Sequence, residues 1–416
     1  MPERIVHLLG TSLVLIGLLG LMGCDASQDP SDTSAEPLRV MTYNIEDMRT
    51  DALRRTDHAR MQRAAAIIQY LQPDILLVQE MTYDQPGAPG YQEGEPEGQN
   101  ARRFAENYLA TPQADSLEAL SFQAFMAPTN TGEASGYDLN RDGEAVTTVP
   151  DIPAAPSDTE PPPQNDEGRA YGEDAWGFGT FPGQYAMGLL VRDGLDIQED
   201  EIRTFRLFAW SDMPDARRPV DPETDEPWYD DEVWDEFRLS SKSHWDVPVE
   251  LPNGAVLHVL ASHPTPPAFD GPEQRNVLRN HDEIRFWADY LDDAAYIYDD
   301  STQTGGFADD APFVIMGDQN ADPSGGSSVE GAIEQILEHP RVQALRPVAT
   351  EDGTQAFPDL EPDHTAEWGR RVDYVLPSQT LDVEDTGIWR PLDRDHAGWA
   401  SDHFPVWVDL YPPRAE

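Results

Sequence analysis

Four apolar, strand-like runs that each meet acids, amides or a histidine constrain the fold of this chain more than any other feature. The runs are LRVMTYNIE at 38–46, DILLVQE at 74–80, FVIMGDQN at 313–320 and SDHFPVWVDL at 401–410. A strand that is buried on both faces reads as a continuous apolar run. Because a buried carboxylate without a partner is costly, acids at the ends of such strands indicate a metal site or catalysis.

The charge of the chain limits its partners and its habitat. Its 416 residues are enough for one large domain or two ordinary ones, and 78 acids against 28 basic residues give a formal net charge of −50. Such a surface repels nucleic-acid and lipid phosphates at low ionic strength. At about 1 M salt the Debye length falls to about 3 Å, and self-repulsion becomes small. We therefore favour a halophilic bacterium as the source, with an ordinary acidic secreted protein as the alternative.

Residues 1–24 are predicted to be a bacterial lipoprotein-type signal peptide. An apolar run over 8–21 leads into LMGC, and Cys24, the only cysteine, is the predicted lipidation site. Residues 25–37 are polar and small, as in a flexible tether. We expect an exported protein that is anchored to a membrane of the cell envelope, periplasmic or at the cell surface. A plain signal peptide or an uncleaved anchor is the alternative.

Strand and helix patterns alternate over residues 38–412, which are predicted to form a single domain. Helical periodicity covers 58–72 and 273–291, and further strand-like runs lie at 183–192, 255–263 and 371–378. Residues 128–182, around PAAPSDTEPPPQND, are interpreted as an irregular insertion or long loop. Because many strands come without a crossover helix, the order favours an α/β sandwich of packed sheets over a doubly wound parallel sheet.

The order of these motifs resembles the endonuclease/exonuclease/phosphatase superfamily, which includes DNase I-like nucleases, inositol polyphosphate phosphatases and sphingomyelinases. The resemblance covers residues 38–410, and its most specific pieces are GDQN at 317–320 and SDH at 401–403. Asn44 and Glu80, which each follow an apolar strand, support it. The resemblance implies a four-layer α/β/β/α sandwich, with two central, mostly antiparallel or mixed sheets flanked by helices. It also implies metal-dependent hydrolysis of phosphoesters.

The resemblance implies that a divalent cation, Mg²⁺ or Mn²⁺, is held on one side of the site. Glu80 is similar to the family's metal-binding glutamate, Asn44 to an amide between the metal and the phosphate, and Asp402 would complete this side. Magnesium needs only one or two carboxylates beside water and substrate phosphate. The residues themselves agree, because the chain has no Cys/His cluster for structural zinc, no GxxxxGK[ST] loop and no GxSxG elbow.

The resemblance also implies the catalytic roles. Asp318 would orient or deprotonate the attacking water, and Asn320 would hold the phosphate or that water. His263 would hydrogen-bond the phosphate or the leaving group. Asp373 would pair with His403 and keep its imidazole cationic against an anion. The alternatives for residues of these types are turn formers, solvated acids and structural histidines.

A candidate calcium loop is the first of two less specific features. Asp138, Asn140 and Asp142 have the oxygen spacing of such a loop, but Val149 stands where an EF-hand has its glutamate. A looser structural Ca²⁺ site and an Asx/Gly turn are both open.

The second feature is a polar group on the predicted helix over 273–291. The candidates for substrate binding lie on or near one face of this helix and are Arg275, Arg279, Asn280 and His281. The guanidinium group of arginine can donate two parallel hydrogen bonds to a phosphate. The alternative is a helix face with internal ion pairs.

We expect an exported phosphoric ester hydrolase that cleaves phosphodiesters or phosphomonoesters by in-line attack of an activated water. The lack of a basic patch argues against a processive DNA nuclease. A small phosphorylated molecule and extracellular nucleic acid both stay open as substrates. The alternatives are an extracellular nuclease, a sphingomyelinase-type lipid phosphodiesterase and, outside the enzymes, a non-catalytic envelope binding protein. No obligate protein partner is indicated.

Overall fold

The computed structural model describes residues 36–307, 310–392 and 400–413. The predicted signal peptide with Cys24, and all but the last two residues of the predicted tether, lie outside the described residues and stay predictions. Within the described residues, no helix is long and apolar enough to cross a membrane.

Two mixed β-sheets form the centre of the protein. In chain order, the strands of the described residues are β1 (Leu38–Met48), β2 (Ile75–Met81), β3 (Phe122–Phe125), β4 (Ala186–Arg192), β5 (Asp196–Ile197), β6 (Arg203–Thr204), β7 (His244–Glu250), β8 (Val256–Ser262), β9 (Phe313–Asp318), β10 (Asp373–Pro377), β11 (Val383–Ile388) and β12 (Val406–Leu410). The first sheet has the order β11-β12-β1-β2-β4-β3, and the second has the order β10-β9-β8-β7-β5, with β6 also on β7. The pairs β1–β2 and β8–β9 are parallel, and the other named pairs are antiparallel.

Helices cover the outer faces of both sheets. Those of the described residues are α1 (Thr50–Leu53), α2 (Ala59–Leu71), α3 (Asn100–Phe104) with a π-helical turn (Ala105–Leu109), α4 (Asp166–Glu173), α5 (Asp231–Glu236), α6 (Arg275–Leu291), α7 (Glu334–Leu337) and α8 (Glu351–Ala356), with 3₁₀ turns at Glu199–Glu201 and Trp210–Asp212. The two long helices, α2 and α6, lie within two residues of the predicted bounds. Pro73 follows α2 closely, as the sequence indicates.

Each central strand is apolar on both faces because each sheet is covered on both sides. The layer between the sheets consists of aliphatic side chains from both, among them Val40, Leu77, Val191, Val259 and Val314. The outer face of the first sheet packs on α2, and that of the second packs on α6. Full burial of one such side chain stabilises the fold by about 1.5–3 kcal/mol. The predicted four-layer α/β/β/α architecture is confirmed.

Polar strand ends meet at one end of the two sheets. Asp318 ends β9 and lies opposite Asp373, which begins β10. Asn44 of β1 lies opposite Gln79 of β2 in the other sheet, and His263 directly follows β8. The register of the two sheets therefore brings segments that are distant in sequence to a common edge.

Candidate active site

The carboxylate of Asp318 is the centre of the site. Its Oδ2 accepts a hydrogen bond from Asn44 Nδ2 at 3.2 Å and lies 3.4 Å from His263 Nε2 and 3.7 Å from His403 Nε2. Its Oδ1 accepts the backbone N–H of Asn320 at 2.9 Å. Asp318 and both histidines are buried. Four other predicted site residues thus contact one carboxylate group, and three of them come from distant parts of the chain.

The backbone around Asp318 explains why the GDQN motif begins with glycine. Gly317 has φ of 140°, and a Cβ built there would lie 1.9 Å from the carbonyl oxygen of Ser262. Asn320 has φ of 54°, and Glu80 has φ of 63°. Non-glycine residues in this left-handed region of backbone conformation destabilise the fold by about 1–3 kcal/mol each, and they concentrate at functional sites. The strained positions here carry two of the predicted site residues.

The Asp373–His403 pair is formed as predicted. Asp373 Oδ2 lies 2.9 Å from His403 Nδ1. Burial lowers the pKa of His403, but the charges of Asp373 and Asp318 outweigh burial and raise it well above its ordinary value. Burial raises the pKa of Asp373 to about 6, with the charge of His403 opposing and that of Asp318 adding to the shift. His403 is therefore an imidazolium at neutral pH.

The pKa values of Asp318 and His263 are both lowered, whereas those of Asp373 and His403 are both raised. Burial raises the pKa of Asp318, but the charge of His403 and the contact with His263 outweigh burial and bring it to about 2. Burial, joined by the charge of Lys242, lowers the pKa of His263. His263 Nδ1 is buried and has no hydrogen-bond partner among the described residues. The site thus contains one cationic histidine, one neutral histidine with a free nitrogen, and an ionised carboxylate.

A second acidic group lies beside Asp318, at irregularities of the first sheet. The β1–β2 register shifts between Asn44 and Met48, and the β2–β4 register shifts around Glu80, so bulges redirect Glu46 and Glu80. Glu80 accepts hydrogen bonds from Asn44 Nδ2 and from the backbone N–H of Asp47, both at 3.1 Å. Bulges commonly re-aim side chains next to active sites.

The acidic group has the donor chemistry of a hard cation site. Glu46, Glu80 and Asp402 are half-buried. Burial raises the pKa of Glu46 to about 7, and the charges of Asp402 and Glu80 add to the shift. The nearby Arg60 guanidinium donates to four backbone carbonyls rather than to these carboxylates. Carboxylate oxygens without a cationic hydrogen-bond partner are the donors that Mg²⁺ or Mn²⁺ prefers.

Among the described residues, the buried trio of Asp318, Asp373 and His403 has ligand atoms within 4.8 Å of one another, whereas the oxygens of Glu46, Glu80 and Asp402 are spaced more widely. We prefer Glu46, Glu80 and Asp402 as cation ligands, because Asp373 and His403 already satisfy each other in a hydrogen bond. A cationic imidazolium is also not a metal ligand, since only neutral histidine binds metals.

Glu46 and Lys242 are the functional candidates that sequence reasoning missed. Glu46 had a signal, since it ends the first apolar run. Lys242 is buried between α5 and β7, and its Nζ donates to the carbonyl of Pro264 at 3.4 Å. Burial lowers the pKa of Lys242, while the charges of Glu283 and Glu80 oppose that shift. The signal for Lys242 was that the chain has no other lysine.

The predicted substrate-binding residues of α6 make contacts to the protein itself. Arg279 donates to two carbonyl oxygens of the segment before β7, and Asn280 donates to carbonyl oxygens after β8 and β9. Arg275 reaches the hydroxyl of Tyr229 and a carbonyl of α4, and His281 contacts the neighbouring aspartate. Arg279 and Asn280 hold loops of the site in place. A direct contact of these four residues with substrate stays a prediction.

The candidate calcium loop is an exposed turn. Asp138 accepts the backbone N–H groups of Asp142 and Gly143 at 3.1 and 2.9 Å, and Asn140 Oδ1 accepts that of Asp142 at 3.0 Å. Asp142 Oδ1 accepts the N–H of Glu144 at 3.0 Å. These are the hydrogen bonds of Asx turns. Calcium binding stays a prediction.

Comparison with known proteins identifies the family of the chain. Residues 41–403 match the family model described as the Endonuclease/Exonuclease/phosphatase family. The chain therefore belongs to this family, and membership supports phosphoester hydrolysis as its activity. The predicted family is thereby confirmed.

Solved structures of low sequence identity align over most of the chain. An endonuclease/exonuclease/phosphatase from Beutenbergia cavernae DSM 12333 is 19% identical, with a TM-score of 0.47 over 91% of this chain and 72% of its own. The human Nocturnin catalytic domain is 15% identical, with a TM-score of 0.43 and coverages of 90% and 94%. A mannosyl-6-phosphatase from Bacteroides thetaiotaomicron VPI-5482 is 15% identical, with a TM-score of 0.42 and coverages of 90% and 99%. The search of curated proteins found no match.

Proposed function

We propose that this protein is a metal-dependent phosphoesterase that hydrolyses its substrate by in-line attack of water. The observation that carries the proposal is the convergence of Asn44, His263 and His403 on the buried carboxylate of Asp318. An ionised carboxylate, an amide and two imidazoles with different charges are the groups that phosphoryl transfer needs for water, phosphate and leaving group. Packing alone does not require them at one point.

In this mechanism Asp318 orients the attacking water and accepts its proton. The pKa near 2 keeps Asp318 ionised at neutral pH, so it is ready to accept a hydrogen bond. The imidazolium of His403 stabilises negative charge on the phosphoryl oxygens, and Asp373 holds its ring in place. The Nε2–H of neutral His263 faces Asp318, so its free Nδ1 can accept a hydrogen bond from a water or a protonated leaving group, and the amide of Asn320 is available to position the phosphate.

Glu46, Glu80 and Asp402 would hold Mg²⁺ or Mn²⁺, with Asn44 beside them. A cation bound there supplies Lewis acidity towards the phosphoryl oxygens. The net charge of −50 favours small phosphorylated substrates over long nucleic acids at low salt. Anchoring to the cell envelope through Cys24 is part of the proposal and is supported by the sequence motif.

Hydrolysis of bis-p-nitrophenyl phosphate in about 1 M NaCl with Mg²⁺ tests the proposal. We expect turnover by the wild type, loss of turnover with a chelator, and a fall in rate of about 10²–10⁴-fold in Asp318→Asn and His403→Ala. Equal rates in the wild type and Asp318→Asn would reject the enzyme assignment. Activity that survives chelation would reject metal dependence. A panel of DNA, RNA, sphingomyelin, inositol phosphates and simple monoesters then separates the substrate classes.

His258→Gln is a matched control for the histidine variant. His258 Nδ1 lies 2.7 Å from Asp246 Oδ1, so it also belongs to a His–Asp pair. It lies five residues before His263 along β8, which corresponds to about 16 Å at ~3.3 Å per residue. We expect full activity in this variant.

A further inference from the structure

Lys242 is unusual in this chain by its composition and by its place. Of the 28 lysines and arginines, it is the only lysine. Lysine is rarely buried unless it is paired, yet only 5% of Lys242 is exposed. The single lysine of the chain therefore lies beside the candidate active site, whereas the other 27 of these residues are arginines.

The ammonium group of Lys242 has unused hydrogen-bonding capacity. It carries three N–H donors, and its hydrogen bond among the described residues is one contact of 3.4 Å to the carbonyl of Pro264. Its Nζ has no carboxylate oxygen within 4.0 Å among the residues that the structure describes. Leaving buried donors of a charged group unsatisfied destabilises the fold. An anionic ligand would satisfy them.

Lys242 shares its surroundings with the proposed catalytic residues. The carbonyl of Pro264 that it contacts also accepts the amide of Asn320, at 3.1 Å. Pro264 directly follows His263, so the side chains of Lys242 and Asn320 meet at the residue next to this histidine. The ammonium group is therefore placed beside the pocket where phosphate is proposed to bind.

The backbone around Lys242 is held tightly. Glu283 of α6 accepts the N–H of Ser241 and that of Thr265, both at 2.6 Å, so one carboxylate ties the Lys242 loop to the loop after His263. On the other side, a Cβ built on Gly177 would lie 1.8 Å from the carbonyl oxygen of Ser241. These contacts fix the backbone position from which the Lys242 side chain extends.

We propose that Lys242 is a catalytic residue whose ammonium group donates hydrogen bonds to the phosphoryl oxygens of the bound substrate. This inference rests on the proposed phosphoesterase function. The bound phosphate supplies the missing acceptors, and the fixed positive charge stabilises the transition state as negative charge develops there. A purely structural lysine would only balance the charges of Glu283 and Glu80.

Substitution of Lys242 tests its role in turnover. Lys242→Met keeps the length of the side chain and removes the charge, and we expect kcat/KM to fall about 10²–10³-fold. Lys242→Arg keeps the charge in a larger, planar group and should recover only part of the loss. A folded Lys242→Met enzyme with wild-type kcat/KM would overturn the inference. Turnover by no protein, the wild type included, would instead reject the proposed function.

Contact with phosphate has a readout that does not need turnover. Because Lys242 is the only lysine, full-length protein labelled with ¹³C-lysine gives a single Cε resonance. Titration with inorganic phosphate should shift this resonance and saturate, and His258→Gln protein should show the same shift. A resonance that stays unmoved throughout the titration with phosphate overturns the inference, whether or not a substrate is known.

Discussion

At the scale of single residues, the two site histidines show that neighbours decide charge. Both are buried, and burial alone lowers a histidine pKa. His403 faces the carboxylates of Asp373 and Asp318, which outweigh burial, whereas His263 faces Lys242 as well as Asp318. The same residue type is therefore cationic in one position and neutral in the other. The cationic His403 suits stabilisation of a phosphate, and the neutral His263 can donate one hydrogen bond and accept another.

The raised pKa of His403 predicts a pH dependence of stability. A group whose pKa is higher in the folded state contributes stability that is fully present below its unfolded pKa, about 6.5, and is lost as the pH rises through the folded value. We expect the free energy of unfolding of the metal-free wild type to exceed that of His403→Gln most below about pH 6.5. The difference should shrink at higher pH. Urea unfolding of both proteins between pH 6 and 10 measures it, and parallel curves would contradict the prediction.

Substitution of Lys242 is expected to lower the activity of the protein without lowering its stability. Its buried charge lacks a close carboxylate, and replacing a buried charge by an apolar side chain of similar volume is often neutral or stabilising. We expect Lys242→Met to melt at the same temperature as the wild type or above it, while its activity falls. Calorimetry in about 1 M NaCl measures the melting temperature. A strongly lowered melting temperature would mean that Lys242 is needed for folding.

Trp368 predicts a preference for substrates that contain a ring. It is 51% exposed, and its ring centroid lies 4.8 Å from that of His403. We expect Trp368→Ala to lower kcat/KM about 5- to 100-fold for nucleoside or sugar phosphates, because stacking on an aromatic ring is worth about 1–3 kcal/mol. Glycerol phosphate, which has no ring, should be affected much less. Tyr70→Ala removes another exposed aromatic ring, from α2, and serves as the control.

At the scale of elements, α6 organises the site although its residues lie behind it. The carboxylate of Glu283 bridges the loop before β7 and the loop after β8 through two backbone N–H groups. Arg279 and Asn280 add hydrogen bonds to carbonyl oxygens of these and neighbouring segments. One helix thereby fixes the positions of two loops that carry Lys242 and His263.

Removing this bridge is expected to loosen both loops together. In Glu283→Ala, two buried N–H groups lose their acceptor, which costs about 1–3 kcal/mol each. We expect faster hydrogen exchange at Ser241 and Thr265 and a fall in kcat. Glu283→Gln keeps one acceptor oxygen and should lie between the wild type and the alanine variant. Unchanged exchange at either amide in Glu283→Ala would contradict this role.

The irregular segment 128–182 is also part of the site's framework. The N–H of Asn130 donates to the carbonyl of Lys242 at 3.0 Å, and its side chain donates to the carbonyl of Ser240. Gln164 donates to the hydroxyl of Tyr185 at 2.8 Å. Apart from α4, which lies within it, the segment has no named helix or strand, and several of its hydrogen bonds join residues far apart in sequence.

At the scale of the whole molecule, the net charge of −50 predicts a strong response to salt. Raising NaCl from about 0.1 to about 1 M shortens the Debye length from about 10 to about 3 Å and screens the repulsion between surface acids. We expect the melting temperature to rise over this range. Sucrose at equal osmolality is the control for solute exclusion, and an equal rise in sucrose would show that screening is not the cause.

The sequence by itself determined the layered architecture and the centre of the site. Continuous apolar runs such as 74–80 and 313–317 can be strands only where both faces are covered, and this local pattern does not depend on distant residues. The residues that end those runs could be assigned for the same reason, because an acid or amide next to a buried strand needs a partner. This pattern marks Asp318, Asn320 and His403 as candidates, and the resemblance to the family implies their roles.

Only the tertiary structure decided the functional candidates whose local sequence has no such pattern. Lys242 stands in a polar stretch, SSKSH, and its burial depends on α6 and the segment around Gly177, which contact its loop from distant parts of the chain. Glu46 faces the other acids because a register shift in β1 redirects it. Arg279 has donors suited to phosphate, yet its position commits them to loop carbonyls. Local sequence encodes which strands form, whereas burial, charge and the direction of a side chain depend on what packs against it.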